Sequence, residues 1–205
     1  RDSRELRLEQ RGVFGDQVRF DLGALIVGED AVVDQHFGEV GFDLITEAEE
    51  EVMRRQIQIA KDLNMLVMVH TPHKNKRVGT ERTIRVLHEV GIDPAQVVLD
   101  HNNPDTIDLA VEYGGWSAMT IYPTKVSVET ALELFGKYGL ERIMINTAAD
   151  WGPSDPLNVS KTALEMRKVG YSDEQIERLV WHNPIQFYSQ SGKLNFLTNK
   201  EELSV

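Results

Sequence analysis

From about residue 37 onward, short β-branched runs alternate with amphipathic stretches of helical period, and that alternation leaves few folds open to the chain. Parallel strands need a long crossover between them, usually a helix, and the helices then cover the sheet. Strands are read at residues 37–42, 65–69, 97–99, 117–121 and 142–145, each followed by a helical pattern. The expected class is therefore α/β, of the (β/α)8 TIM-barrel type, over a single domain 1–205.

Cap signals place the helices. Thr46-Glu47-Ala48-Glu49 reads as a capping box opening a helix to about Leu63, with Val52, Met53, Ile57 and Ala60 on its apolar stripe. Thr80 is read as the cap of a helix that carries Ile84, Leu87 and Val90 and stops at Gly91. Asn103-Pro104, Ser127, Asp155-Pro156 and Asn183-Pro184 are read as further starts, and Ser172 to Gln175 as a second capping box. Residues 1–30 mix a charged, helix-like start with the apolar segments Val13-Phe14, Val18-Arg19-Phe20 and 22–27.

Charge and composition narrow the function. With a net charge of −11, a polyanion must be held by a local cation cluster or a metal, so broad nucleic-acid coating is disfavoured. The absence of cysteine excludes disulfides and thiolate ligands, leaving His, Asp and Glu to bind any metal. No apolar run approaches the roughly 20 residues a membrane helix needs, so the expectation is a soluble, cytoplasmic protein without membrane contact.

In a parallel barrel the chemistry gathers at the C-terminal ends of the strands. Four polar residues lie there: Glu39 within Gly38-Glu39-Val40-Gly41, His70 after Val67-Met68-Val69, His101 after Val97-Val98-Leu99-Asp100, and Asp150 beyond Ile143-Met144-Ile145. Glu39 to His70 and His70 to His101 are both 31 residues, one βα unit each, which brings adjacent strands to one mouth. Two imidazoles and two carboxylates suit one or two divalent ions (Zn, Mn, Fe or Mg), which can lower the pKa of a bound water. Taken singly, a strand-end histidine is more often a hydrogen-bonded structural residue and Asp150 a turn residue, whereas a carboxylate between two glycines on a core strand is costly without a partner. His36, His88 and His182 take the structural reading. The loop Thr71-Pro72-His73-Lys74-Asn75-Lys76-Arg77 is the one clearly cationic segment, so His73, Lys74 and Lys76 are candidate substrate-binding residues, with a plain solvated charge run as the equal alternative. Asn102 and Trp151 join them as substrate-binding candidates, and Asn103, Tyr122, Lys125 and Ser154 are further pocket candidates.

With these residues in place, the chain resembles the TatD-related metal-dependent hydrolases of the amidohydrolase superfamily, across residues 37–193. Gly38-Glu39-Val40-Gly41-Phe42-Asp43 is similar to the family segment whose Glu bridges two metals, Val69-His70-Thr71-Pro72 to its strand-four histidine, and Asp100-His101 to its strand-five histidine. Asn146-Thr147-Ala148-Ala149-Asp150-Trp151-Gly152 occupies the place of the late-strand aspartate, in wording different from that of TatD deoxyribonucleases. The His70 segment also lacks those nucleases' Arg two residues on, and is closer to an uncharacterised TatD-like subgroup. The family opens with His-x-His on its first strand; none occurs here, and His36 is the only histidine before Glu39. Since a full barrel takes about 250 residues and the chain begins at Arg1, the expectation is a barrel incomplete at its N-terminus with an impaired site.

The resemblance implies a metal-dependent hydrolase acting on a phosphoester or another polar ester or amide. Glu39, His70, His101 and Asp150 would be its metal ligands, with catalytic roles for Glu39 and for Asp150 as general base. A non-catalytic metal-binding or protein-interaction barrel and a TatD-like deoxyribonuclease are the alternatives. The implied partner is a small-molecule or phosphoester substrate, while scissile bond, metal and oligomeric state are not encoded in these motifs.

Overall fold

The computed structural model describes residues 36–148 and 153–194, with side chains from Glu39 onward, all within one unit, Gln35–Val205. The readings over residues 1–30 and at Asp150 and Trp151 lie outside the described residues, as does the side chain of His36. Five strands pair in parallel in sequence order: β1 (His36–Gly41), β2 (Leu66–His70), β3 (Val97–Asp100), β4 (Trp116–Thr120) and β5 (Ile143–Asn146). Each is crossed to the next by a helix: α1 (Glu47–Asp62), α2 (Lys76–Val90), α3 (Ile107–Tyr113) and α4 (Val128–Tyr138). After β5 come α5 (Asn158–Lys168), α6 (Asp173–Glu177), a π-helical turn at Arg178–His182, and α7 (Asn183–Ser189). The strand positions agree with the sequence reading to within about a residue at most ends, the scatter usual for element boundaries.

The sheet is apolar on both faces because both are covered. On one face, Val40, Phe42, Val67, Val69, Val97 and Leu99 pack against α1, α2 and α3 through Met53, Ile57, Leu87 and Ala110. Met119, Ile143 and Ile145 meet α4 to α6 through Leu134, Phe135, Met166 and Ile176. The other face carries Leu66, Val98, Trp116, Ala118 and Met144, closed by Phe187 of α7. Fully burying side chains of this size stabilises by about 1.5–3 kcal/mol each, so the strand alternation decides which residues can face the site.

The capping boxes at Thr46/Glu49 and Ser172/Gln175 and the Ser127 cap form as read. Three starts differ. The second helix begins at Lys76, after Asn75 in the left-handed region (φ 47°), and Thr80 lies inside it, donating its hydroxyl to the Lys76 carbonyl. At Asn103-Pro104 and Asp155-Pro156 the Asx side chain accepts from the amide two residues on, making a turn before the helix proper at Ile107 and Asn158. The last helix starts at Asn183 as read, and the buried Asn183 side chain donates through Nδ2 to the carbonyls of Leu140 and Ile143, 2.7 Å each, tying this helix to the edge of β5.

Outside the sheet, α1 and α2 are joined by an ion network around Glu50, which meets Arg82, Arg85 at 2.9 Å and Arg54 at 3.0 Å, while Arg54 also reaches Glu89 at 2.7 Å. Burial raises the Glu50 carboxyl, but the three guanidiniums outweigh it and hold it below its ordinary value. Arg82 further donates to the Ile45 carbonyl and lies over the Phe42 ring, so the network braces the loop that follows β1.

Replacing Asn183 with Ala removes the donor to the buried Ile143 carbonyl and leaves the Leu140 carbonyl with only the Ile143 N–H at 3.3 Å. We expect a loss of about 1–3 kcal/mol of unfolding free energy, read from urea denaturation; a change inside experimental error would show that Asn183 does not anchor this edge.

Candidate metal centre

Register sets the height of each site residue. Gly41 pairs with His70, and His70 with Asp100, so the ends of β1, β2 and β3 are level, and His101 stands one residue above. Between Phe37 and Val40 the register slips, three residues on β1 spanning two on β2, and Glu39 sits in that irregularity. Gly41 admits no side chain: a Cβ there would stand 2.2 Å from the His70 carbonyl oxygen, so glycine permits the close approach of β1 to β2.

Glu39, His70 and His101 converge, each offering a ligand atom that lies within 4.8 Å of the others. His101 Nε2 is 3.6 Å from Glu39 Oε1, and the two imidazoles meet edge to face, centroids 5.1 Å apart. The side chains of His70 and His101 are 17% and 16% exposed, so water does not saturate them. Both ring nitrogens of His70 are buried without a hydrogen-bond partner; Asp43 Oδ1 lies 3.4 Å from Nε2 but outside hydrogen-bond geometry. A histidine with two orphaned nitrogens beside a carboxylate and a second imidazole fits a divalent ion accepting N and O donors.

His101 is oriented by its neighbours. Its Nδ1 is 2.6 Å from Thr120 Oγ1, which leaves Nε2 to face Glu39 and His70. The residue has a positive φ of 60°, and its backbone N–H donates to the buried Asp100 carboxylate. Asp100 in turn accepts from Asn146 Nδ2 at both oxygens, 3.0 and 2.9 Å, linking β3 to β5. Thr120, Asp100 and Asn146 were not among the residues singled out from the sequence. Their signal is weak: a polar residue at a strand end, without the punctuation of an imidazole.

The cationic loop sits beside the cluster. The exposed His73 ring is 5.8 Å from that of His70, and Lys74 is also exposed. Lys76 is partly buried, its Nζ donating to Thr71 Oγ1 at 2.7 Å and to the Thr71 and Pro72 carbonyls at 3.3 Å. Asn102 is buried, donating to the Leu99 and Ala118 carbonyls and accepting from Thr106 Oγ1, so its amide serves the scaffold between β3 and β4. Of the residues read as structural, His88 packs edge to face on Tyr113, and His182 lies 3.9 Å from Glu177.

Electrostatics follow from this packing. The His101 imidazole beside Glu39, against the opposing push of burial, holds its carboxyl below the ordinary value. Burial first, then the neighbouring His101, depress His70, with Glu39 and Asp43 pulling the other way.

The sequence profile of the TatD related DNase family matches residues 27–189. The chain belongs to that family. An uncharacterized metal-dependent hydrolase of Methanocaldococcus jannaschii is 33% identical over 154 residues, 74% of this chain and 60% of the relative. The crystal structure of a TatD-like protein from Archaeoglobus fulgidus superposes with a TM-score of 0.60 at 28% identity, covering 74% of this chain and 59% of that one. The chain thus spans about three fifths of the length of the relatives it matches. The fold is the TIM-barrel-like α/β arrangement of the TatD family, and among the described residues the sheet does not close on itself, since β1 and β5 are its two edges. No helix among the described residues is long and apolar enough to cross a membrane.

The depressed His70 value has a definite sign. As pH falls through about 6.5 the unfolded chain takes up the proton before the folded one, so the metal-free protein loses stability. Urea midpoints in EDTA at about pH 7.5 and pH 5.5 are expected to differ less in His70→Asn than in the parent protein; equal differences would remove His70 from the acid response.

Proposed function

We propose that the protein is a metal-dependent hydrolase in which Glu39, His70 and His101 hold one or two divalent ions (Zn, Mn, Fe or Mg), with Asp150 as a further ligand and general base. The observation that carries this reading is the convergence of the three donors around a histidine with both nitrogens unpaired. Similarity to a metal-dependent hydrolase of M. jannaschii supports it. A bound divalent ion supplies an activated water near neutral pH and polarises the bond to be cleaved.

The chain's own groups hold and orient. Thr120 fixes the His101 ring so that Nε2 faces the cluster, and the Asp100 carboxylate holds the His101 backbone in its left-handed conformation. His73, Lys74 and Lys76 are proposed to meet a phosphoester or another polar ester or amide at the mouth, with Asn102 setting the loop behind them and Trp151 adding to the wall. A substrate of this kind is small and reaches a mouth framed by loops, where specificity resides.

A second reading, deoxyribonuclease action, rests on the family's description as TatD related DNases. The net charge of −11 favours action on short or terminal stretches of a strand over broad coating of a duplex. A cytoplasmic setting is part of the proposal.

Metal content by mass spectrometry tests the centre. Glu39→Gln is expected to retain less than about half of the bound metal, and Thr120→Val, which frees the His101 ring, to weaken affinity about ten- to hundredfold in a chelator competition. Unchanged metal content in Glu39→Gln, or no metal in any form of the protein, would overturn the proposal.

A further inference from the structure

Lys125 lies on the loop after β4, at the same C-terminal end of the parallel sheet as the cluster, and that loop is built to hold it. Its amide donates to the Tyr122 carbonyl at 3.0 Å, closing a turn with Pro123 at its second position, and the Tyr122 amide donates to the Val126 carbonyl at 3.0 Å across the base. Tyr122 and Val126 are buried on either side, and the lysine Nζ stands 5.9 Å from the Tyr122 ring centroid. Its side chain is partly buried, yet among the described residues no carboxylate lies within ion-pair distance of its ammonium. At the end of the sheet beyond β2, Lys76 has its ammonium held against Thr71 and Pro72, a positive charge that likewise has no carboxylate partner among the described residues.

We propose that Lys125 is the contacting donor of an oxyanion subsite beside the Glu39–His70–His101 cluster, with Lys76, at the start of α2, supplying positive field. The ligand is a phosphate or carboxylate group carried by the substrate, and the inference rests on the hydrolase reading for what lies next to that group. The charges feel one another: burial and then Lys125 push Lys76 down to about 8, and burial, Lys125 and Lys76 together lower His73. Burial also lowers Lys125, with Asp100 and Glu39 opposing. Two partly buried lysines without a carboxylate partner among the described residues, in a chain of net charge −11, are satisfied when an anion enters beside them. A lysine serving only solubility needs neither the closed turn nor the burial.

The test uses the whole chain stripped of metal with EDTA, titrated at low salt with inorganic phosphate and separately with acetate, and followed by amide NMR. Saturable shifts are expected at residues 73–76 and 124–126, weakened about tenfold or more in Lys125→Met and largely kept in Lys125→Arg. Tighter phosphate binding assigns the subsite to phosphate, and tighter acetate binding to carboxylate. No saturable shift in the parent protein, or equal affinity in Lys125→Met, overturns the inference. Manganese binding by the same samples, read by electron paramagnetic resonance, judges the metal centre separately, because Lys125→Met leaves all four proposed ligands in place.

Discussion

Parallel pairing of β1, β2 and β3 fixes how high each side chain stands, and the site depends on that registration. Gly41 lets β1 come close enough for its backbone to lie against the His70 carbonyl, and β2 and β3 end level at His70 and Asp100. One residue further, the chain turns at His101 into a left-handed conformation that a β-branched residue would resist. The helices contribute by burying the alternate residues, Val40, Val69 and Leu99, which commits their polar neighbours to the opposite face. The centre is a by-product of a well-packed sheet whose last inward positions are polar.

Much of this was legible in the sequence because the determining signals are local. Strands announce themselves as β-branched runs, and an imidazole directly after such a run is conspicuous, which is how His70 and His101 were found. Glu39 was found because a carboxylate between two glycines on a core strand has no cheap structural explanation. The helix starts at Thr80, Asn103 and Asp155 were misplaced for a common reason: Asx and Thr side chains bond nearby backbone in turns and within helices as readily as at caps, and only the φ/ψ of the following residues decides which. The support of the centre was not legible. Thr120 meets His101 from β4 and Asn146 meets Asp100 from β5, contacts 19 and 46 residues apart that no sequence window spans.

An acidic chain can still gather cations where it needs them. Lys76 belongs to the basic run after β2 and Lys125 to the loop after β4, so what brings the second lysine to the same end of the sheet is strand order and not the basic run. Composition speaks to the average surface, whereas a binding site is set by what topology collects.

The ion network on the outer layer carries a consequence for temperature. Glu50 is largely buried among Arg54, Arg82 and Arg85, and such a group owes much of its cost to charge dehydration. That cost shrinks on heating, while the stabilisation from apolar burial levels off. The clamp between the first two helices therefore gains relative weight as the protein warms. Through Arg82 it also holds the Ile45 carbonyl and covers Phe42, so that relative gain extends to the segment leaving β1.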